Sequence, residues 1–264
     1  MKLSIVIPVY NEAGNLEALF KELFSVLREI GHNYEIIAVD DSSRDESFAF
    51  LAYIAAQRKE LKVIRFRVNH GQTAAISAGI NHAQGEIIVL MDSDLENDPH
   101  DIPKLLEKIG EGYDVVSGWR RERWSKNFLM RRVPSILANW LISKITGVKL
   151  HDYGCTLKAY KSEVLMGVQL YGEMHRFIPA YAAWKGARVG EIPVSWRERT
   201  YGKSNYGISR TFSVVLDLVV IKFLDKYMNK PMHFFGGIGL ASFILGLVTG
   251  LSAIALKIFG VRDF

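Results

Sequence analysis

Ile87-Ile88-Val89-Leu90-Met91-Asp92-Ser93-Asp94-Leu95-Glu96 runs from an apolar stretch straight into a group of acids. A short, unbroken apolar run that ends in turn residues reads as a buried strand. At its end stand Asp92 and Asp94, with Glu96 next in phase. Residues two apart in extended chain face the same side, so these carboxylates address one point. Alone they would repel, and one would take up a proton. A hard divalent cation, Mg²⁺ or Mn²⁺, removes the conflict, because it prefers carboxylate oxygens and takes phosphate oxygens as further ligands. A polar turn after a strand uses the same residue types, so the surrounding sequence has to decide.

Outward from that stretch, strand and helix patterns alternate. Residues 3–8 read as a first strand, and Leu16, Leu19, Phe20, Leu23 and Leu27 then follow helical spacing. Residues 35–39 form a second strand. It runs into Asp40-Asp41-Ser42-Ser43-Arg44-Asp45, where Ser43 and Glu46 have capping-box spacing for the next helix. Residues 63–66 make a third strand and 74–83 a helix of small residues. After the strand at 87–91 comes a helix with Pro103 in its first turn, then a strand at 115–117. This alternation predicts an α/β fold with a mostly parallel sheet and helices on both faces. Such sheets bind ligands at the carboxyl ends of their strands. Four of those ends are polar here: 10–12, 40–41, 70–73 and 92–96.

Composition narrows the ligand. The formal net charge is +5. A basic balance suits nucleic acid, anionic lipid or phosphorylated substrates. No nucleic-acid signature accompanies it, so lipid and phosphate are expected and nucleic acid is not. Cys155 is the single cysteine, which excludes an internal disulfide and a cysteine zinc cluster. No GxGxxG or GxxxxGK(S/T) loop follows the first strand, which argues against a dinucleotide dehydrogenase and a P-loop NTPase. Phosphates would then be held by a metal and by basic side chains. The opening apolar run is too short for a secretory signal.

Hydrophobic residues make up 49% of the chain and the mean hydropathy is +0.08, which suggests a globular body with a membrane part. Leu129, Val133, Ile136, Leu137, Trp140, Leu141 and Ile145 form an apolar stripe flanked by Arg131, Arg132 and Lys144, with Pro134 placed to kink or interrupt it. The stripe fits a core-facing helix or one lying in a membrane interface. Residues 208–227 are strongly apolar with few charges, and 234–256 are uncharged without a break, long enough to cross a bilayer. Gly246 and Gly250 form a small-xxx-small pair suited to self-association in the membrane. Lys222, Lys226 and Lys230 precede the span and Lys257 and Arg262 follow it, a slight lean towards a cytoplasmic body.

Taken together, residues 7–12 (Ile-Pro-Val-Tyr-Asn-Glu), 39–45 and 91–99 resemble the signature of glycosyltransferase family 2. With the membrane tail they look like its polyprenyl-phosphate branch, the dolichol-phosphate mannosyltransferase-like enzymes. Residues 71–75, 152–155 and 177–179 look closest to the bacterial undecaprenyl-phosphate aminoarabinose transferases. The resemblance spans about residues 1–260. It implies a GT-A catalytic domain over 1–206, with an interfacial helix near 128–146 inside it. A juxtamembrane interfacial helix over 207–231, a transmembrane helix over 232–258 and a tail over 259–264 would follow. It also implies that Pro8, Tyr10, Glu12, Asp40 and Asp41 line the nucleotide pocket, and that Asp92, Asp94 and Glu96 hold the metal and the donor diphosphate. Arg120, Arg131, Ser135, Arg199 and Lys203 would gather around the donor and acceptor phosphates. The chain departs from the family pattern at Glu96, where Gln is common, and at Ser42, where Gly is usual. Members of the branch commonly continue into a second membrane helix, whereas this sequence stops at Phe264.

The resemblance implies metal-dependent, inverting transfer of a sugar from a nucleoside-diphosphate sugar to a polyprenyl phosphate such as undecaprenyl phosphate. A UDP-sugar is favoured over GDP-mannose. The enzyme would sit in the inner membrane with its catalytic domain facing the cytoplasm. Asp94, Asp152, Arg131, Arg199 and Lys203 are the catalytic candidates. Asp152, presented by a turn at Gly154, would orient the acceptor or the donor sugar. One alternative is a family 2 enzyme acting on a sugar hydroxyl of a glycan. Residues 120–124 are superficially similar to the arginine–tryptophan motif of polysaccharide synthases, with Arg in place of that motif's Gln. Another is a non-catalytic membrane-anchored protein that binds nucleotide sugars.

Overall fold

The computed structural model describes residues 2–123, 133–168, 170–198 and 230–258, together with Val220 and Phe223. The chain divides into two compact units, Met1–Asp217 and Leu218–Phe264.

The first unit is built on a seven-stranded sheet: β1 (Lys2–Val9), β2 (Asn33–Asp40), β3 (Leu61–Arg65), β4 (Ile87–Leu90), β5 (Val115–Trp119), β6 (Lys158–Lys161) and β7 (Val189–Pro193). Their order is β3-β2-β1-β4-β6-β5-β7. All neighbours pair in parallel except β6, which runs antiparallel to both β4 and β5. The chain steps outward from β1 to β3 and then returns to the other side of β1 as β4. The β1–β4 boundary is therefore the topological switch point, where sheets of this kind open a ligand crevice at their carboxyl ends. Leu3 to Val6 of β1 lie in register with Ile87 to Leu90 of β4, so the two ends emerge together.

Alternation along β1 supplies both faces of the core. Ile5 and Ile7 pack with Leu16, Leu19, Phe20, Leu23 and Leu27 of α1 (Ala13–Ile30). Val6 faces the other way, with Ala75 and Ile76 of α3 (Gln72–His82). Among the described residues, the unit's other α-helices are α2 (Ser47–Gln57), α4 (Ile102–Gly110), α5 (Val133–Thr146), α6 (Ser162–Leu165) and α7 (Ile178–Trp184).

Three sequence expectations change here. The capping box does not form: α2 begins at Ser47 with no side-chain bond at its cap. The Ser43 hydroxyl instead accepts the Asn11 amide (3.0 Å) and Ser47 accepts that of Glu12 (2.9 Å). These bonds zip the loop after β1 to the loop after β2. Pro134 is the second residue of α5 and so starts that helix rather than kinking it. The strands β6 and β7 have no counterpart in the sequence reading. Their runs, KAYK and VGEIP, are short and carry Lys, Gly and Pro, so neither shows strand periodicity.

In the second unit, α8 (Pro231–Ile258) has 28 residues and buries none of them. At about 1.5 Å per residue it exceeds the ~30 Å hydrocarbon core of a bilayer. The juxtamembrane helix expected over 207–231 falls almost entirely outside the described residues.

Candidate functional site

The site begins where β4 ends. The Ser93 hydroxyl donates to the Pro8 carbonyl at 2.9 Å, tying the acidic loop to β1. Leu95 has a left-handed backbone (φ 62°), and the Glu96 amide turns back onto Asp94 Oδ1 at 3.0 Å. The extended alternation therefore stops at Asp94. Glu96 leaves phase and faces Arg120 Nη1 (3.4 Å) and Arg123 Nη2 (3.6 Å). The in-phase trio expected from the sequence does not close: among the described residues, the three-acceptor group whose ligand atoms all lie within 4.8 Å is Glu22, Asp98 and His100. Arg197 already occupies that group, bonding Glu22 at 2.8 Å and Asp98 at 2.6 Å, so it is an ion-pair cluster.

Asp92 and Asp94 retain the conflict that a cation would relieve. Burial, followed by the charge of Asp94, pushes the Asp92 carboxyl up to about 6. Gln72, at the start of α3, donates to Asp92 Oδ1 at 2.7 Å. Two crowded carboxylates made of hard oxygen donors fit Mg²⁺ or Mn²⁺.

The residues expected around a nucleotide lie at the neighbouring strand ends, and several are committed to architecture. Asp41 accepts from the amides of His70 (2.7 Å) and Gly71 (2.8 Å) and from Asn69 Nδ2 (2.9 Å), bracing the loop into α3. Asp40 is fully buried, with Arg65 Nε at 3.5 Å and the Ser43 amide at 3.3 Å. Ser42 between these loops has φ 63°, the conformation glycine adopts most easily. Pro8 is buried in β1, Glu12 accepts from Asn15 Nδ2, and Tyr10 stands 40% exposed at the strand end.

On the other flank, Arg120 follows β5 and grips Asp152. Burial pushes the Asp152 carboxyl up, but the Arg120 guanidinium outweighs it and holds the group at about 2. Beside this pair opens a cavity of about 830 Å³. It is lined by the cations Arg120, Arg121, Arg123, Lys144 and Lys149 and by Trp119, Trp140, Ser135, His151 and Asp152 among others. Ser135 thus joins Arg120 and Asp152. Arg131, Arg199 and Lys203 lie outside the described residues. The sequence reading did not single out Trp119, Lys149, His151 or Glu191. They come from β5, β7 and the loop after α5 and meet through the β5–β7 pairing and the run of that loop into β6, which leaves no local signal.

Residues 4–168 match the family model "Glycosyl transferase family 2". The chain is 42% identical over 98% of its length to the dodecaprenyl-phosphate galacturonate synthase of Rhizobium johnstonii, covering 75% of that protein. It is also 42% identical over 89% of its length to the undecaprenyl-phosphate 4-deoxy-4-formamido-L-arabinose transferase of Edwardsiella ictaluri, covering 72% of that protein. Among solved structures, glucosyl-3-phosphoglycerate synthase from Mycobacterium tuberculosis, in complex with Mn²⁺, UDP and phosphoglyceric acid, superposes with a TM-score of 0.63. That similarity has 18% identity and covers 84% of this chain and 77% of the other. At that identity it speaks for the fold, a GT-A-like mixed sheet.

Proposed function

The chain belongs to glycosyl transferase family 2, and from that premise we propose that it moves a sugar from a nucleotide-sugar donor to a polyprenyl phosphate. One observation carries the reading: the cation-lined cavity beside Asp152 and Arg120 has two tryptophans in its wall. An anionic head on an apolar chain matches that lining. α5 exposes Ile136, Leu137 and Trp140, and the Lys144 ammonium lies 5.1 Å from the Trp140 ring centre. A basic, tryptophan-bearing helix of this kind suits a membrane interface, and α8 is long and apolar enough to span one. The relatives' names, a dodecaprenyl-phosphate galacturonate synthase and an undecaprenyl-phosphate 4-deoxy-4-formamido-L-arabinose transferase, support a lipid-phosphate acceptor. UDP is the favoured nucleotide, with the body facing the cytoplasm at the inner membrane.

Asp92 and Asp94 would hold the divalent cation, which supplies positive charge to offset that developing on the leaving diphosphate. Glu96 serves instead as the carboxylate that fixes Arg120 and Arg123. The acceptor's phosphate, with a second pKa near 6, is largely ionised at neutral pH. It needs cations to bring it against an anionic donor; Arg121, Arg123, Lys144 and Lys149 line the cavity, and Arg131, Arg199 and Lys203 are candidates from the sequence for the same role. Asp152, ionised and clamped, is a poor proton acceptor, so it orients groups rather than acting as a base.

The test is incubation of the full chain with radiolabelled UDP- and GDP-sugars and undecaprenyl phosphate, followed by organic extraction. Label in the lipid phase is expected. Label in a water-soluble glycan would favour a sugar-hydroxyl acceptor, and no transfer with any donor would favour a binding protein.

A further inference from the structure

We propose that Glu191 and Lys158 are positioning residues that set the 151–156 turn against both acidic centres of the site; the inference rests on the transferase reading above. Glu191 sits on β7, opposite Ser117 of β5. Its carboxylate accepts the backbone amides of His151 (2.9 Å) and Asp152 (3.1 Å) and pairs with His151 Nδ1 (2.7 Å). The His151 ring in turn stacks on Trp119 with centroids 4.3 Å apart. On this flank, one half-buried carboxylate therefore collects the turn's N–H groups.

Lys158, on β6, holds the opposite flank. Its ammonium donates to the carbonyls of Tyr153 (3.2 Å) and Cys155. It is 2% exposed, and among the described residues no carboxylate lies within 4.0 Å of it. Burying an ammonium without an ion pair is costly, and here the charge is spent on main-chain carbonyls. The turn held between these jaws presents two side chains to the site. Asp152 faces Arg120, and Thr156 lies on the side of the Asp92 carboxyl, whose charge its hydroxyl favours. The turn thus runs from the Arg120 centre towards the Asp92–Asp94 centre, which the acidic loop also ties to Arg120 through Glu96. A displacement of about 1 Å in such a link costs on the order of 10²-fold in rate.

The experiment compares purified full-length wild type with Glu191→Ala, Glu191→Gln and Lys158→Met. It measures kcat, donor KM, thermal stability and amide exchange over residues 149–156. Glu191→Ala is expected to lower kcat about tenfold or more with donor KM held within about threefold, while exchange at 151–152 rises. Glu191→Gln keeps an acceptor oxygen for the two amides and should recover most of the rate; Lys158→Met should lower kcat as Glu191→Ala does. Wild-type kcat in Glu191→Ala overturns the proposal, as does equal impairment of the Ala and Gln variants in step with lost stability. If wild type itself transfers no sugar, the functional reading fails separately. Amide exchange then decides alone, and unchanged exchange in Glu191→Ala overturns the positioning.

Discussion

Arg120 and Asp152 form a two-point pair, Nε to Oδ2 at 2.8 Å and Nη2 to Oδ1 at 3.1 Å, while Arg120 Nη1 reaches Glu96 at 3.4 Å. One guanidinium therefore joins the 151–156 turn to the acidic loop after β4. The carboxyl of Asp152 sits at about 2 in the folded state against an ordinary 3.8. A depressed carboxylate stabilises the fold above its unfolded pKa and loses that contribution as pH falls through the folded one. Asp152→Asn is expected to cost about 2 kcal/mol at pH 7, with the gap to wild type shrinking between pH 4 and pH 2. Denaturant unfolding at several pH values reads this directly, and a gap that does not change with pH would refute the assignment.

Asp92 carries the opposite sign. Its carboxyl is raised to about 6, by burial first and then by Asp94. A raised acid penalises the native state once pH exceeds the unfolded value, and the penalty is complete above about 6. Without metal, Asp92→Asn is expected to be more stable than wild type at pH 7.5, by about 1–3 kcal/mol, with the difference fading towards pH 4. Added Mn²⁺ should raise the melting temperature of wild type but not of the variant, which also loses transfer. Wild-type Mn²⁺ affinity in Asp92→Asn would remove Asp92 from the metal site.

The strands that build the site differ in how plainly the sequence announces them. β4 is an unbroken apolar run, and β1 and β2 carry such runs at 5–9 and 36–39, because both faces of the sheet are covered; the polar residues that follow mark the strand ends. Periodicity also put Asp92 and Asp94 at the end of β4, where the structure has them, since a strand end needs no tertiary context. It misplaced Glu96, because the left-handed turn at Leu95 breaks the alternation and no Gly or Asn marks it. Glu191 and Lys158 were invisible for another reason. Each acts on main-chain groups brought close by β6 running backwards between β4 and β5, a juxtaposition that exists only once the sheet has closed.

α5 offers a test of the lipid-facing wall. Ile136 and Trp140 are each 55% exposed and line the cavity along with Lys144. Replacing both apolar residues by Ser removes area that would otherwise be buried in the headgroup region, at about 25 cal/mol per Å². The double variant is expected to raise KM for undecaprenyl phosphate in vesicles about tenfold or more. KM for the nucleotide sugar should stay put, because the residues around Asp92 are untouched. Equal changes in both constants would mean that α5 supports the fold rather than the acceptor.

The packing of α3 on β1 decides whether the switch point keeps its shape. Gly79 lies where a β-carbon would overlap Val6 Cγ1 and approach Val6 Cβ and Cγ2 to 3.3 Å. In an exposed helix, Gly to Ala gains up to about 1 kcal/mol; here the new methyl meets a fully buried side chain of the central strand. Gly79→Ala is expected to destabilise by about 1–3 kcal/mol through overpacking. Val6→Ala makes room for that methyl, so the double variant should be more stable than the sum of the two single losses implies. A double-mutant cycle of denaturant unfolding measures the coupling. If the two effects simply add, α3 does not rest on β1 at this point, and Gln72 would not be held where it meets Asp92.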